Sequence, residues 1–315
     1  MRVMLIANPN STSQSDALVR AVVAQLRKVP DLQLLVRLTH RARHAEELVR
    51  GLRREDFAAV VVLGGDGTVN EVVNGLLGTP GTQPPAEELP VLGVIPTGSA
   101  NVFARALGFD HDPVLAAQTL AGTMAYDLRR SIRLGTFNQR WFAVNAGFGL
   151  DADILAAVDR ARQQGRAATP VRYFWASLRG WHRARRNPPQ INVFADNGAR
   201  TFSLEAIPLL FASNTNPWSF LGPLPMVTNP RNSFDHGLGL FGVSDLQGPA
   251  GLAGLMYLFG AHHFTRTRVV QFDDAQLVEL SVPGHHRFQA DGESQGRLHH
   301  VVLRSIPQAI EVFAP

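Results

Sequence analysis

The feature that most restricts what this chain can fold into is a junction between two kinds of sequence. Residues 57–63 are an unbroken apolar run rich in β-branched side chains, and Gly64-Gly65-Asp66-Gly67-Thr68 follows at once. From Val69 to Leu77 the apolar positions then recur at helical spacing. An apolar run without alternation reads as a strand buried on both faces, which is the environment of a parallel sheet. The flanking sequence repeats the arrangement. Residues 3–7, 32–38 and 89–95 read as further strands, and residues 15–28, 45–53 and 101–107 as helices. Strands alternating with helices predict an α/β fold whose parallel sheet is covered on both faces. Residues 79–90, rich in Pro and Gly, read as a loop.

Ligands bind such sheets at the carboxyl ends of the strands. Three polar turns fall there: Asn8-Pro9-Asn10-Ser11-Thr12, Gly64-Gly65-Asp66-Gly67-Thr68 and Pro96-Thr97-Gly98-Ser99-Ala100-Asn101. Glycines let backbone N–H groups approach a phosphate, and a following helix adds the favourable end of its dipole. Thr68, Thr97 and Ser99 bring hydroxyls, and Asp66 a carboxylate for a magnesium ion or a transferred proton. One Gly-Gly or Gly-Ser pair would be no more than a tight turn; three such turns after three buried strands predict a nucleotide site. The GxxxxGK[ST] phosphate loop and the GxGxxG dinucleotide pattern are both absent.

From about residue 131 the pattern changes to short alternating runs at 131–136, 140–145, 190–195, 201–208, 238–243, 277–282 and 300–305. These predict an antiparallel sandwich or barrel, with a helical stretch over about 152–186. The expected division is therefore residues 1–130 and 131–302. The chain of 315 residues suits two domains.

Composition removes several chemistries. With 0 cysteines there is no disulfide, thiolate nucleophile or Cys-ligated metal. Of 30 basic residues only Lys28 is lysine, leaving 29 arginines and a net charge of +4. That balance suits a local phosphate or anionic-surface patch better than general nucleic-acid binding. The longest apolar stretch, residues 250–261, is too short for a membrane span, and the apolar start is too short for a signal peptide. A cytoplasmic protein is expected.

Four blocks together resemble the diacylglycerol kinase catalytic-domain family, which includes bacterial lipid kinases and is related to sphingosine kinases. They are Gly-Gly-Asp-Gly-Thr-Val-Asn-Glu-Val-Val-Asn-Gly-Leu at 64–76, Leu-Gly-Val-Ile-Pro-Thr-Gly-Ser-Ala-Asn-Val-Phe-Ala-Arg at 92–105, Phe-Ala-Val-Asn-Ala-Gly-Phe-Gly-Leu-Asp-Ala at 142–152, and Ala-Asp-Gly-Glu at 290–293. The first block is also similar to NAD kinases and phosphofructokinases.

The resemblance implies an NAD-kinase/phosphofructokinase-like three-layer α/β domain, a β-rich sandwich domain, and ATP in the cleft between them. Residues 303–315 would pack back on the first domain. Asn8, Pro9, Asn10, Ser11, Thr12, Thr39, Gly64, Gly65, Asp66, Gly67, Thr68, Val69, Asn70 and Ser99 would line the ATP site. Glu293 would be the general base with Asp291 beside it, and Asp66 would orient Mg2+ or share the proton work. Asp291-Gly292 is also a strong hairpin signal in its own right. The family often has Asp where His236 stands, and imidazole is a poor magnesium ligand, so an accessory metal site is expected to be lost or weak.

Residues 160–186 hold eight arginines among Tyr173, Phe174, Trp175 and Trp181. They read as a solvated helical face or as a contact for an anionic membrane, with Arg172 the candidate phosphate contact. The apolar turn-rich stretch 218–226 reads as a buried loop or a lipid-entry lip. Adjacent His pairs at 262–263, 285–286 and 299–300 read as non-metal, because strand neighbours point to opposite faces. The expected activity is ATP- and magnesium-dependent phosphorylation of a hydroxyl on diacylglycerol or a related lipid, at the membrane periphery. The alternatives are a NAD-kinase-like enzyme with a soluble substrate and a non-catalytic nucleotide- or lipid-binding regulator. Oligomeric state is open, a homodimer included.

Overall fold

The computed structural model describes residues 1–8, 15–148, 188–221, 224–247, 251, 253–254, 257 and 269–315. The expected helix at 152–186, with Arg172, lies outside them, as do Pro9, Asn10, Ser11 and Thr12. The chain divides into two compact units. One is Met1–Leu134 with Gln139–Ala143 and Ile306–Pro315, and the other is Gly135–Asn138 with Val144–Ser305.

The first unit runs β1 (Arg2–Ala7), α1 (Asp16–Leu26), β2 (Gln33–Leu38), α2 (His44–Val49), β3 (Ala59–Gly64), α3 (Asp66–Leu77), β4 (Val91–Pro96), α4 (Val102–Ala106) and α5 (Pro113–Ala125). It also holds most of β5 (Arg129–Phe137), and β6 (Arg140–Phe142). The strands are parallel in the order β2-β1-β3-β4. Every residue of β3 and β4 is buried, as their unbroken apolar runs require. At the edge, β2 stays largely exposed.

Helix starts follow from local chemistry. The Ser15 hydroxyl accepts the Leu18 N–H at the head of α1, and Val22 and Leu26 make its buried stripe. The Asp112 carboxylate accepts the N–H groups of Val114 and Leu115 at 2.8 and 3.0 Å, with Pro113 in the first turn of α5. Apolar spacing does not mark α5, because alanines make it apolar nearly all round; Asp112-Pro113 is its only clear sequence signal.

The second unit is antiparallel and β-rich. Its strands are β7 (Asn145–Phe148), β8 (Ile191–Asp196), β9 (Thr201–Ile207), β10 (Leu209–Ser213), β11 (Ser219–Leu221), β12 (Leu224–Met226), β13 (Leu238–Val243), β14 (Val269–Ala275), β15 (Leu277–Ala290) and β16 (Glu293–Phe313). The order is β14-β13-β10-β7-β15, and β15 also pairs with β8 and β16. Residues 140–145, expected as one strand, form the whole of β6 and the first residue of β7, with Ala143 and Val144 between them. The N–H groups of Val144 and Asn145 leave the ladder to bind the Asp291 carboxylate. Aromatic packing anchors the unit: the Phe288 ring lies 5.0 Å from Phe148 and 5.4 Å from Phe137. The far end of β16 belongs to the first unit, where Val312 pairs in parallel with Leu92 of β4. Among the described residues no helix is long and apolar enough to cross a membrane.

Candidate active site

In the first unit the chain passes from β1 outward to β2, then returns to the other side of β1 to form β3. The order therefore reverses between β1 and β3, and the carboxyl ends of those strands flank the crevice where open α/β sheets bind ligands. Asn8 directly follows β1 and Thr39 directly follows β2, with the Thr39 N–H donating to the Ala7 carbonyl at 2.9 Å. The Gly64–Gly65 turn follows β3, and Thr97 to Asn101 follow β4, with the Thr97 N–H donating to the Gly64 carbonyl at 3.0 Å. Ser99 is exposed at the tip of its loop, and Gly67 and Thr68 are half-buried at the head of α3.

Two of these turns touch backbone to backbone. A Cβ on Gly98 would lie 2.7 Å from the Gly65 Cα and 2.8 Å from the Asn101 Oδ1; one on Gly65 would lie 3.1 Å from the Gly98 Cα. Only glycine permits that approach. Asn101 secures it, accepting the Gly98 N–H at 2.7 Å and donating to the Gly98 carbonyl at 3.0 Å. Asn101 itself sits in the left-handed region at φ 50, where Asn is among the better tolerated residues. Gly98→Ala should cost about 1–3 kcal/mol of stability by overpacking and weaken nucleotide binding. Gly122→Ala, in α5 with open space around its Cβ, should instead stabilise by up to about 1 kcal/mol. Thermal melts and nucleotide titration of the two variants check the contrast.

Much of the signature after the turn holds the fold. The two Asp66 carboxylate oxygens accept the N–H groups of Val102 and Phe103 at 3.0 and 2.9 Å, so Asp66 caps α4 from the start of α3. Burial raises the Asp66 pKa, against the pull of the Phe103, Val102 and Asp66 backbone amides. Asp66→Asn replaces one acceptor oxygen with an NH2 that faces an N–H, and should cost about 1–3 kcal/mol in a denaturant melt. Val69 is buried in the core. Asn70 donates to the Trp141 carbonyl at 3.0 Å, and Asn74 both donates to that carbonyl and accepts the Trp141 N–H at 3.0 Å. Glu71 accepts the N–H groups of Arg43 and Ala45 at the head of α2. Glu71, Asn74 and Asn101 were not singled out by motif chemistry, although all lie inside the two blocks.

In the second unit Asp291 and Gly292 form the two-residue turn joining β15 to β16. Both have positive φ, 49 and 80, as a type I′ hairpin needs. Asp291 is buried, and one carboxylate oxygen accepts the Val144 and Asn145 N–H groups at 2.8 and 3.1 Å. Gln289 fastens the same turn, accepting the Gly292 N–H at 3.0 Å and donating to Asn145 at 2.8 Å. Glu293, the next residue, is exposed. Asp291 thus fixes the turn while Glu293 is presented to solvent. His236, at the expected accessory-metal position, shares a hydrogen bond with the Ser233 hydroxyl at 2.9 Å.

Glycine turns at the carboxyl ends of a parallel sheet, in a chain whose other unit is antiparallel and β-rich, define a mixed α/β protein. Residues 2–130 match the sequence model of the diacylglycerol kinase catalytic domain. The diacylglycerol kinase of Bacillus subtilis is 34% identical over 148 residues, 47% of this chain and 46% of that one, so the match spans about half the length of that relative. A diacylglycerol kinase of Staphylococcus aureus is 26% identical over 264 residues, 83% of this chain and 76% of that one. The crystal structure of a diacylglycerol kinase from Bacillus anthracis superposes with a TM-score of 0.71 at 21% identity, covering 100% of this chain and 97% of that one.

Proposed function

We propose that the protein is an ATP-dependent lipid kinase that transfers the γ-phosphoryl group to a hydroxyl of diacylglycerol or a related lipid. The observation that carries this reading is the Gly65–Gly98 contact at the carboxyl ends of β3 and β4. It brings the loops that carry the Thr68 and Ser99 hydroxyls together with no side chain between them, which suits a polyphosphate. The same loops fit a nucleotide in donor chemistry: hydroxyls, amides and no bulky side chain at either glycine. Hard oxygens of the kind magnesium takes are present in Thr68 and Ser99, the Asp66 carboxylate being held by the Val102 and Phe103 amides. Bound there, the ion would neutralise phosphate charge.

The chain's own residues divide the remaining work. Asn8, Thr39 and the Gly64–Gly65 turn orient the nucleotide. Asp66 holds α4 and the β4 turn in register. Glu293 takes the proton from the acceptor hydroxyl as its oxygen attacks phosphorus, and Asp291 positions it. The relatives called diacylglycerol kinases support the acceptor class.

The test is γ-labelled ATP offered with a panel of lipids in detergent micelles, with NAD and other soluble alcohols alongside. Label in a lipid is expected. Label in NAD alone would turn the assignment to a soluble-substrate kinase, and none in any acceptor to a nucleotide-binding regulator.

A further inference from the structure

The β15–β16 hairpin brings together two histidines from opposite strands. The rings of His285 on β15 and His299 on β16 lie 5.2 Å apart with their planes at 54°, and both residues are exposed. Each belongs to an adjacent pair in the sequence, His285-His286 and His299-His300. Neighbours on a strand point to opposite faces, so the rings that meet are one from each pair, across the ladder. The other two are placed elsewhere, His286 opposite Leu298 and His300 opposite Ser281.

The strand path makes this meeting place. β15 pairs with β8 up to Ser281 and with β7 from Phe288. Between those stretches its register with β16 shifts: from Ser281–His300 to His286–Leu298, β15 runs through Val282, Pro283, Gly284 and His285 while β16 has only His299. Pro283 has no N–H to give a ladder, and Gly284 takes φ +72, where a residue with a Cβ would be strained. Extra residues in one strand re-aim its side chains, and here His285 is turned toward the His299 ring.

We propose that His285 and His299 hold a divalent transition-metal ion of the zinc type between them, with water in the remaining positions. Imidazole is a preferred ligand of such ions. With zinc–nitrogen bonds of about 2.0–2.1 Å, two imidazoles at a tetrahedral angle set their ring centres about 5 Å apart, which is the separation found here. Among the described residues no group of three or more His, Cys, Asp or Glu is placed to hold a metal. The site is therefore a two-ligand clasp open to solvent, not a closed structural centre. Arg297, two residues from His299 on the same strand, keeps a positive charge nearby. That charge disfavours ions held by attraction alone, so Mg2+ and Ca2+, which take oxygen ligands, should not compete. A bound ion ties β15 to β16 where their ladder is interrupted, and so fastens the hairpin that ends in the Glu293 turn.

Calorimetric titration of the full chain with zinc, after dialysis against a chelator, tests it. The wild type should bind a zinc ion that excess Mg2+ leaves in place, and zinc should raise its melting temperature. His285→Gln and His299→Gln should each weaken that binding by at least about tenfold, since even the outer partners of metal ligands contribute that much. Both should lose the zinc-dependent rise in melting temperature, yet melt near the wild type without metal, their side chains being exposed. His286→Gln and His300→Gln should bind zinc as the wild type does. His299→Cys should keep the site, because a thiolate is also a zinc ligand and the chain has 0 cysteines of its own to compete. Zinc binding at the wild-type level by a variant carrying both His285→Gln and His299→Gln overturns the proposal. So does an equal loss in His300→Gln, which would assign the ion to the adjacent pair, or a wild type that binds no zinc.

Discussion

Glu293→Gln should retain nucleotide binding and lose phosphoryl transfer by about a hundred- to ten-thousandfold, the usual worth of a positioned general base. The change removes only the ability to accept a proton. Gln has the same length, and the turn before it is fixed by other groups: the buried Asp291 on two backbone amides, and Gln289 on the Gly292 N–H. Stability should therefore stay near that of the wild type. Glu279→Gln, an exposed carboxylate on the same strand pair, is the matched control and should leave turnover intact. Labelled-ATP turnover and nucleotide titration on both variants separate chemistry from binding. Unchanged turnover in Glu293→Gln would remove Glu293 from the base role and direct attention to another carboxylate.

The turn before Glu293 shows what local sequence can reveal. Asp-Gly between two alternating runs specifies a I′ hairpin, and the hairpin is there. The buried strands β3 and β4 were equally legible, because an unbroken β-branched run has few other places to go. What the spacing could not reveal is how one motif serves several partners. Asn70, Glu71 and Asn74 lie along a single helix, yet their partners are on β6 and at the head of α2, residues far away in sequence. A motif read as a phosphate loop is, from Asp66 onward, largely a set of clamps for neighbouring elements. The split at residues 143–144 was hidden for the same reason. Its cause is a carboxylate nearly 150 residues later, at Asp291, and a periodicity argument sees only neighbours. In α5 the helical stripe was masked by alanines, which leave no polar face to contrast.

Glu46→Ala should lower stability by about 1.5–2 kcal/mol at neutral pH, the lower range for losing hydrogen bonds to a charged group. Glu46 is buried, yet it accepts from Arg43 at 2.9 Å, Arg140 at 3.0 Å and Arg50 at 3.4 Å. The figure stays low because Arg43 and Arg50 are themselves well exposed and can turn to water once released, leaving no buried charge unpaired. The position is also tight. A Cβ on Gly75 of α3 would lie 2.3 Å from the Glu46 carbonyl oxygen, so α2 rests directly on α3, and Arg140 brings β6 to the same carboxylate. Burial by itself would raise the Glu46 pKa, but hydrogen bonds from Arg43 and Arg140, and their charges, outweigh it and hold the group below its ordinary value. A carboxylate with a depressed folded pKa contributes fully above its unfolded value, about 4.3, and loses that contribution as pH falls through the folded value. The gap in melting temperature between wild type and Glu46→Ala should thus be constant near neutrality and close in acid below the ordinary glutamate range. A gap that persists unchanged into strong acid would mean that packing, not charge, is what Glu46 supplies where α2, α3 and β6 meet.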